Sequence, residues 1–450
     1  METLSAIALV GGRGVRARPL TLNSSDYLRS KAAMSLAGRS LIEWAVGILQ
    51  AQGVDRFYVA ANGGENRAQT KAILEHGERL GVSVRYSRTR FDSSNTGSGE
   101  ATLRCLEYWD LTGFALVLPS DSVFDFDLGA MTRAHRAHDS VVTLATVLRP
   151  AAEAAGKYGV VLRGPDGGVT GFLEKPDLAA LRAAGALDGA GRVETNAGMY
   201  LVDCDRLRVI AREPGLAALA RRSLDWGGDL LPYLAARGHR IASHPIAKFG
   251  DLGSPRDYLT TLREVLRDEY PMLSGRIDPP VSAPAGARIH ESSLYLKDET
   301  TGRTLAEKVA DGTVRIGPNV RIGRDVEIGP GVVLAESDIG DGVDLGEGSS
   351  LRGVSCGDHS IVGPGARISD AFLGVMVDIR STLGRPVILE EFCALGDEVR
   401  IGAGTHLRGV SVFPRLDIGS GARIPAGASL SGLKDLLHWL GETPLNGRAA

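Results

Sequence analysis

From residue 314 onward the chain keeps a period of six. Ile316, Ile322, Ile328 and Leu334 are spaced by that step, and Val314, Val320, Val326 and Val332 run in parallel two residues earlier. Gly317, Gly323 and Gly329 follow the isoleucines at the same interval. The pattern returns at Ile339, Leu345 and Leu351, at Ile401, Leu407 and Phe413, and at Ile418, Ile424 and Leu430. A fixed short period with an apolar residue and a glycine in each unit is the mark of a parallel β-helix. Each step gives one short flat strand and a turn, three steps make a coil, and the branched residues stack inward. Unrelated short strands do not hold a constant step through four positions. The stretch from Arg352 to Pro386 is less regular and reads as carrying a loop excursion. Leu433–Leu440 reads as a short amphipathic helix closing the open end, which would hide an edge able to pair with another chain.

The first part of the chain obeys a different rule. Apolar runs at Ala6–Val10, Phe57–Ala61, Phe114–Pro119 and Ser140–Val147 alternate with helical patterns at Leu41–Gln52, Asn66–Leu80 and Leu128–His138. Strand and helix in alternation argue for an open α/β fold with a mostly parallel sheet. The organisation is therefore a Rossmann-like domain over residues 1–270 and a junction over 271–312 broken by Asp278-Pro279-Pro280 and Pro284. A left-handed β-helix follows over 313–432, then a cap helix and tail over 433–450. In open α/β sheets ligands sit beyond the carboxyl ends of the strands. Val10 and Pro119 are two such ends, so the residues after them should share a rim.

Val10-Gly11-Gly12-Arg13-Gly14-Val15-Arg16 occupies the first of these ends. Glycines there let bare N–H groups approach phosphate oxygens. Arg13, Arg16 and Arg18 supply the charge that a triphosphate requires. Asp121 follows the second end, and Asp251 follows the apolar run Ile246–Phe249. Carboxylates at strand ends beside phosphates suit a hard cation of the Mg2+ kind. Asp125 and Asp127 read as solvated turn or helix-start residues. A net charge of −3 leaves no global field drawing the chain to nucleic acid or anionic lipid, so an anionic substrate must be met by local cations. Cys105, Cys204, Cys356 and Cys393 lie far apart without a CxxC pair and read as reduced packing residues. The chain opens directly on a strand, and no run is long enough to span a bilayer. The expectation is a cytoplasmic protein.

Taken together, several short motifs resemble those of the sugar-1-phosphate nucleotidylyltransferases, nearest to mannose-1-phosphate guanylyltransferase-like members with a C-terminal left-handed β-helix. They are Gly11–Arg16, Arg18-Pro19-Leu20-Thr21, Lys31, Lys157–Val161, Glu174-Lys175-Pro176, Asn196–Tyr200 and Asp251–Pro255, in this order. The resemblance spans nearly the whole chain. It implies transfer of a nucleotidyl group from an NTP to a sugar-1-phosphate, with GTP and a mannose-like phosphate first among the pairs. It further implies that Arg16 grips the departing phosphates and that Lys31 contacts the α-phosphate. Asp121 and Asp251 would hold Mg2+, and Val10–Gly14 with Gly97 and Ser98 would meet the nucleotide. Gly159, Glu174, Lys175 and Asn196 would meet the acceptor. On its own Glu174-Lys175 reads as a solvated ion pair, and Gly97–Gly99 reads nearly as well as a flexible loop. A homo-oligomer assembled through flat coil faces is also implied.

The chain departs from the family pattern in places. Val15 and Ala17 stand where Thr and Leu are usual, and the run from Thr21 to Lys31 is about five residues longer than usual. Ser120 replaces the usual Gly, and Trp is missing before Asp251. These changes bear on nucleotide and acceptor choice, with a cyclitol phosphate among the acceptors. They also keep open a non-catalytic regulatory or scaffold homologue. His359 and His406 are the candidates for an acyltransferase site on the β-helix, outside the residue pattern of such sites.

Overall fold

The computed structural model describes residues 3–23, 27–88, 96–164, 168–279, 286–299 and 301–435. It divides into two compact units. The first takes in residues 1–12, 30–33 and 40–250, and the second takes in 13–29, 34–39 and 251–450. Asn95 and most of the expected cap, residues 436–440, lie outside the described residues; Leu433–Asp435 forms its first helical turn.

In the first unit the sheet is organised around Leu4–Val10. This strand pairs in parallel with Arg56–Ala61 on one side and Phe114–Pro119 on the other, and Ser83–Tyr86 extends the first side. The three central runs are apolar at nearly every position, as strands buried on both faces are, whereas the edge strand Ser83–Tyr86 alternates buried and exposed residues. Beyond Phe114–Pro119 the direction reverses. Arg192–Asp203 is antiparallel to it and to Val142–Pro150, and Val160–Arg163 with Val169–Leu173 forms an antiparallel edge. Leu41–Gln50 starts at a Ser40–Glu43 capping box, which satisfies first-turn N–H groups. Leu128–Ala137 starts at Asp127, whose carboxylate accepts from Ala130 N. Asp125 departs from expectation: it ends the strand Ser122–Asp125 and is buried rather than solvated. The helix expected over Asn66–Leu80 is two elements, Gly64–Leu74 and a 3-10 turn at Glu78–Leu80. The chain breaks at Glu75, which has a left-handed φ of 49°, so that the His76 carbonyl can accept from Val84 N. All four cysteines are buried free thiols. Among the described residues no helix is long and apolar enough to cross a membrane.

In the second unit short parallel strands stack into a left-handed β-helix. One ladder runs Glu327–Ile328, Asp344–Leu345, Ile361–Val362, Asp378–Ile379, Arg400–Ile401 and Asp417–Ile418. The inward residues of all ladders form one continuous core. The structure corrects the strict period of six. Ile322 lies opposite Ile339, and Leu345 opposite Val362, a step of 17 residues. One corner of each of these coils is a residue short, as between Leu334 and Ile339. At that corner a single left-handed residue turns the chain: Glu336 at φ 48°, Gly353 at φ 65° and Asp370 at φ 50°. For the same reason Val412 and not Phe413 is the inward residue, in register with Leu395 and Leu430. The irregular stretch is narrower than expected. Coils remain regular to Ile379, and residues 380–387 make the excursion, closed by a bridge between Thr382 and Arg385.

The helix Pro255–Leu266 lies along the short corner. Just past its end, Arg267 forks onto Glu336 at 2.8 and 2.9 Å. Arg263 donates to the Gly353 carbonyl at 3.1 Å and pairs with Asp370, and Arg256 stacks over the Phe392 ring at 4.6 Å. Below the coils, Leu305–Ala310 carries Lys308, whose side chain is 1% exposed and whose ammonium is 2.6 Å from the Asp298 carboxylate. Arg29 reaches Asp397, and Tyr258 donates to the Ser35 carbonyl at 2.8 Å, fixing the segments 13–29 and 34–39 to this unit. His406 is paired with Glu390 at 2.8 Å, and His359 sits in a left-handed corner at φ 56°.

Candidate active site

The first unit holds a cavity of about 410 Å³ at the carboxyl ends of its parallel strands. Val10, Gly11 and Gly12 form one wall, Ser120 and Asp121 a second, and Thr96–Ser98 with Asp225–Trp226 a third. The first two walls meet because Leu9 and Pro119 are in register. Ser120 turns back into the fold: its N–H and hydroxyl donate to the Leu9 carbonyl at 3.2 and 2.9 Å. That leaves the next side chain, Asp121, as the acidic group of the rim. Its Oδ2 accepts from Lys31 Nζ at 2.8 Å, with the lysine side chain 13% exposed. Gly11 and Gly12 are exposed, and Gly12 holds a φ of 88°. Arg13, Gly14 and Arg16 belong to the second unit, where Gly14 leads into the 3-10 turn Val15–Ala17 and both arginines are exposed. Asp251, also assigned to the second unit, ends the strand Lys248–Asp251 just before the Ser254 cap of Pro255–Leu266.

The third wall contains residues that the sequence reading passed over. Gly97 precedes the helix Ser98–Tyr108 and offers no side-chain cap. Asp225 supplies one from a distance: its Oδ1 accepts from Ser98 N at 3.0 Å and Ser98 Oγ at 3.3 Å. Trp226 Nε1 donates to Thr102 Oγ1 at 2.9 Å, and its ring stacks on Tyr200 with centroids 4.3 Å apart. Trp226 begins a π-helical turn, Trp226–Leu230, an element that often marks functional positions. Burial pushes the Tyr200 phenol far up, against a hydrogen bond from Asn196 and with help from Glu174 and Asp225, so it stays protonated. Burial likewise pushes the Cys105 thiol up to about 12, which removes it as a nucleophile at neutral pH.

At Gly97 in this wall only glycine fits. Its φ is 97°, and a Cβ would lie 2.5 Å from the Leu224 carbonyl oxygen. The sequence resemblance sets Gly97 against the nucleotide, so Gly97→Ala is expected to raise the NTP KM at least about tenfold, roughly 1.4 kcal/mol, by forcing the loop off the Leu224 backbone. Steady-state kinetics against NTP concentration checks this, and an unchanged KM would refute it.

Among the residues expected to meet the acceptor, Glu174 Oε1 lies 3.1 Å from Lys175 Nζ. Its other oxygen faces the bare α-carbons of Gly159 and Gly227, where an added Cβ would fall 3.0 and 2.6 Å away. Lys175 holds a left-handed φ of 45°. Asn196 Oδ1 accepts from Gly198 N at 2.8 Å and its Nδ2 donates to the Tyr200 hydroxyl at 2.9 Å. The amide thus brackets the irregularity in the Arg192–Asp203 strand between Asn196 and Tyr200.

The nucleotidyl transferase family model matches residues 5–268 of this chain. The chain belongs to that family and is a nucleotidyltransferase. A second model, described as the GMPPB C-terminal domain, matches residues 306–425, from the helix Leu305–Ala310 through most of the β-helix. The chain is 26% identical over 420 residues to the probable mannose-1-phosphate guanylyltransferase 2 of Oryza sativa subsp. japonica, covering 93% of this chain and 98% of the relative. It is 27% identical over 430 residues to the mannose-1-phosphate guanylyltransferase 1 of Arabidopsis thaliana, with the same coverage. A UTP–glucose-1-phosphate uridylyltransferase of Synechocystis is 26% identical over 276 residues, 59% of this chain and 64% of that one.

Proposed function

We propose that this nucleotidyltransferase joins an NTP to a sugar-1-phosphate, with GTP and mannose-1-phosphate as the preferred pair. The observation that carries the reading is Asp121, held by Lys31 at the rim of a large cavity beside the bare Gly11–Gly12 turn. The names of the relatives that match over 93% of this chain support the choice of pair. In the reaction a phosphate oxygen of the sugar phosphate attacks the α-phosphorus, the bond to the bridging oxygen breaks, and pyrophosphate leaves. Both partners are anionic, so catalysis consists of positioning and charge neutralisation. Gly11 and Gly12 present backbone N–H groups to the triphosphate, and Arg13 and Arg16 carry charge for the departing phosphates. Lys31 meets the α-phosphate, and Val10, Gly14, Gly97 and Ser98 bound the nucleoside. Gly159, Glu174, Lys175 and Asn196 serve the acceptor.

The residues fit a divalent cation of the Mg2+ kind. Among the described residues no group of three or more potential ligands gathers into a protein-only cage. Asp121 and Asp251 are instead single carboxylates of hard oxygen, and Mg2+ is bound by one or two carboxylates together with substrate phosphates. When bound, the cation draws negative charge off the reacting phosphate. The chain's part is to hold the Asp121 carboxylate in place through Lys31, 2.8 Å away.

A matrix of four NTPs against mannose-, glucose- and inositol-1-phosphates with Mg2+, read as pyrophosphate release, tests the reading. The highest kcat/KM is expected for GTP with mannose-1-phosphate. A preference for UTP would move the base assignment, and no release from any pair would overturn the reaction.

A further inference from the structure

Nothing in the sequence motifs explains why a segment 127 residues after the glycine loop is built into it. Leu224 N donates to the Thr96 carbonyl at 2.8 Å, and Glu100 N donates to the Leu224 carbonyl at 3.0 Å. Asp225 caps Ser98, and Trp226 N donates to Ser98 Oγ at 3.1 Å. One residue further on, the α-carbon of Gly227 stands so close to the Glu174 carboxylate that a methyl group there would fall 2.6 Å from Oε2. One short strap therefore touches the nucleotide loop at its start and the acceptor carboxylate at its end.

We propose that Leu224–Gly227 is a positioning strap that sets Glu174 against the acceptor sugar in register with the nucleotide loop. Gly227 is its selectivity-determining position. The proposal rests on the acceptor role of Glu174 given above. A carboxylate discriminates between epimers only if it is held where one hydroxyl reaches it and the other does not. Glu174 is half-exposed and pairs with the adjacent, exposed Lys175, a contact that does not fix the carboxylate on that side. Gly159 and Gly227 close the other side, and Gly227 is the tighter of the two. Gly227 in turn cannot drift, because Trp226 is locked between Tyr200 and Thr102. Absence of a side chain at 227 is thus what lets the carboxylate lie against backbone. The neighbouring Gly228 differs: nothing stands within 4 Å of a Cβ placed there.

The test compares Gly227→Ala, Gly228→Ala and Asp225→Ala with the wild-type chain, varying acceptor and NTP separately. For Gly227→Ala the expected result is an acceptor KM raised roughly tenfold, the size of one weakened hydrogen bond to a charged group. The ratio of kcat/KM for mannose-1-phosphate over glucose-1-phosphate should shift, with the NTP KM within about twofold of wild type. Gly228→Ala should match wild type, and Asp225→Ala should raise both KM values by releasing the strap at its anchor. If Gly227→Ala does not fold, Gly227→Ala with Glu174→Asp, whose shorter side chain relieves the contact, should restore folding. An epimer ratio and acceptor KM unchanged in Gly227→Ala would overturn the proposal. So would equal effects at 227 and 228, or a folding failure that Glu174→Asp leaves in place. A wild-type chain that releases no pyrophosphate with any pair would instead remove the reading on which the strap rests.

Discussion

Asp121→Asn is expected to lower the rate of pyrophosphate release by about a thousandfold or more, a loss of roughly 4 kcal/mol of transition-state stabilisation. Two effects combine. The amide no longer supplies an anionic oxygen for a divalent cation, and it leaves Lys31, 13% exposed and 2.8 Å away, without its counter-charge. Because the barrier is shared by both directions, pyrophosphorolysis of the product nucleotide should fall by the same factor. Single-turnover pyrophosphate release under saturating NTP measures the effect, with circular dichroism confirming that the fold persists. Retention of more than a tenth of the wild-type rate would remove Asp121 from the chemistry.

Lys308→Met is expected to destabilise the second unit by about 3–5 kcal/mol, the range for breaking a buried ion pair from one side. The lysine and Asp298 are 1% and 3% exposed, and the ammonium also donates to the Ile328 carbonyl. Methionine fills the volume and leaves a bare carboxylate behind. The pH dependence has a definite sign. Burial alone would raise the Asp298 carboxyl, but hydrogen bonds from Lys308 and Thr301 outweigh it and hold the group well below the usual carboxylate range. A carboxyl lowered on folding contributes stability that is complete above its unfolded value, about 4, and is lost as pH falls toward the folded one. In Lys308→Met burial acts unopposed by the ammonium, so protonation becomes favourable and stability should rise as pH is lowered from 7 toward 4.5. Denaturant melts at these two pH values check both statements. Lys308→Met with Asp298→Asn should recover part of the loss, since no charge then remains buried.

The β-helix was legible because its inward positions repeat, and repetition survives without knowledge of any contact. The shortened corner was not, because a coil that turns through one left-handed residue at Glu336, Gly353 or Asp370 leaves no common residue type to read. Val412 was missed for that reason. The rim of the cavity was legible from strand ends, and Leu9 lying beside Pro119 follows from parallel pairing. Asp125 was misread because its local neighbours resemble a turn, whereas tertiary packing buries it in a strand. Asp225, Trp226 and Gly227 gave no signal beyond two adjacent glycines after a tryptophan. Their part comes from contacts with Ser98, Thr102 and Glu174, none of which is near in the chain.

The arginines along Pro255–Leu266 and just beyond it also constrain how the protein can change length. An α-helix advances ~1.5 Å per residue and stacked strands ~4.8 Å per coil, so two repeating rulers of different pitch run side by side along one corner. They are matched at Glu336, at Gly353 with Asp370, and at Phe392. Adding or removing a coil between those rungs would put every arginine below it out of step, while a coil gained or lost after Phe392 disturbs none of them. Growth of the prism in evolution, or shortening of it by design, is therefore open at the far end and closed along the splinted half.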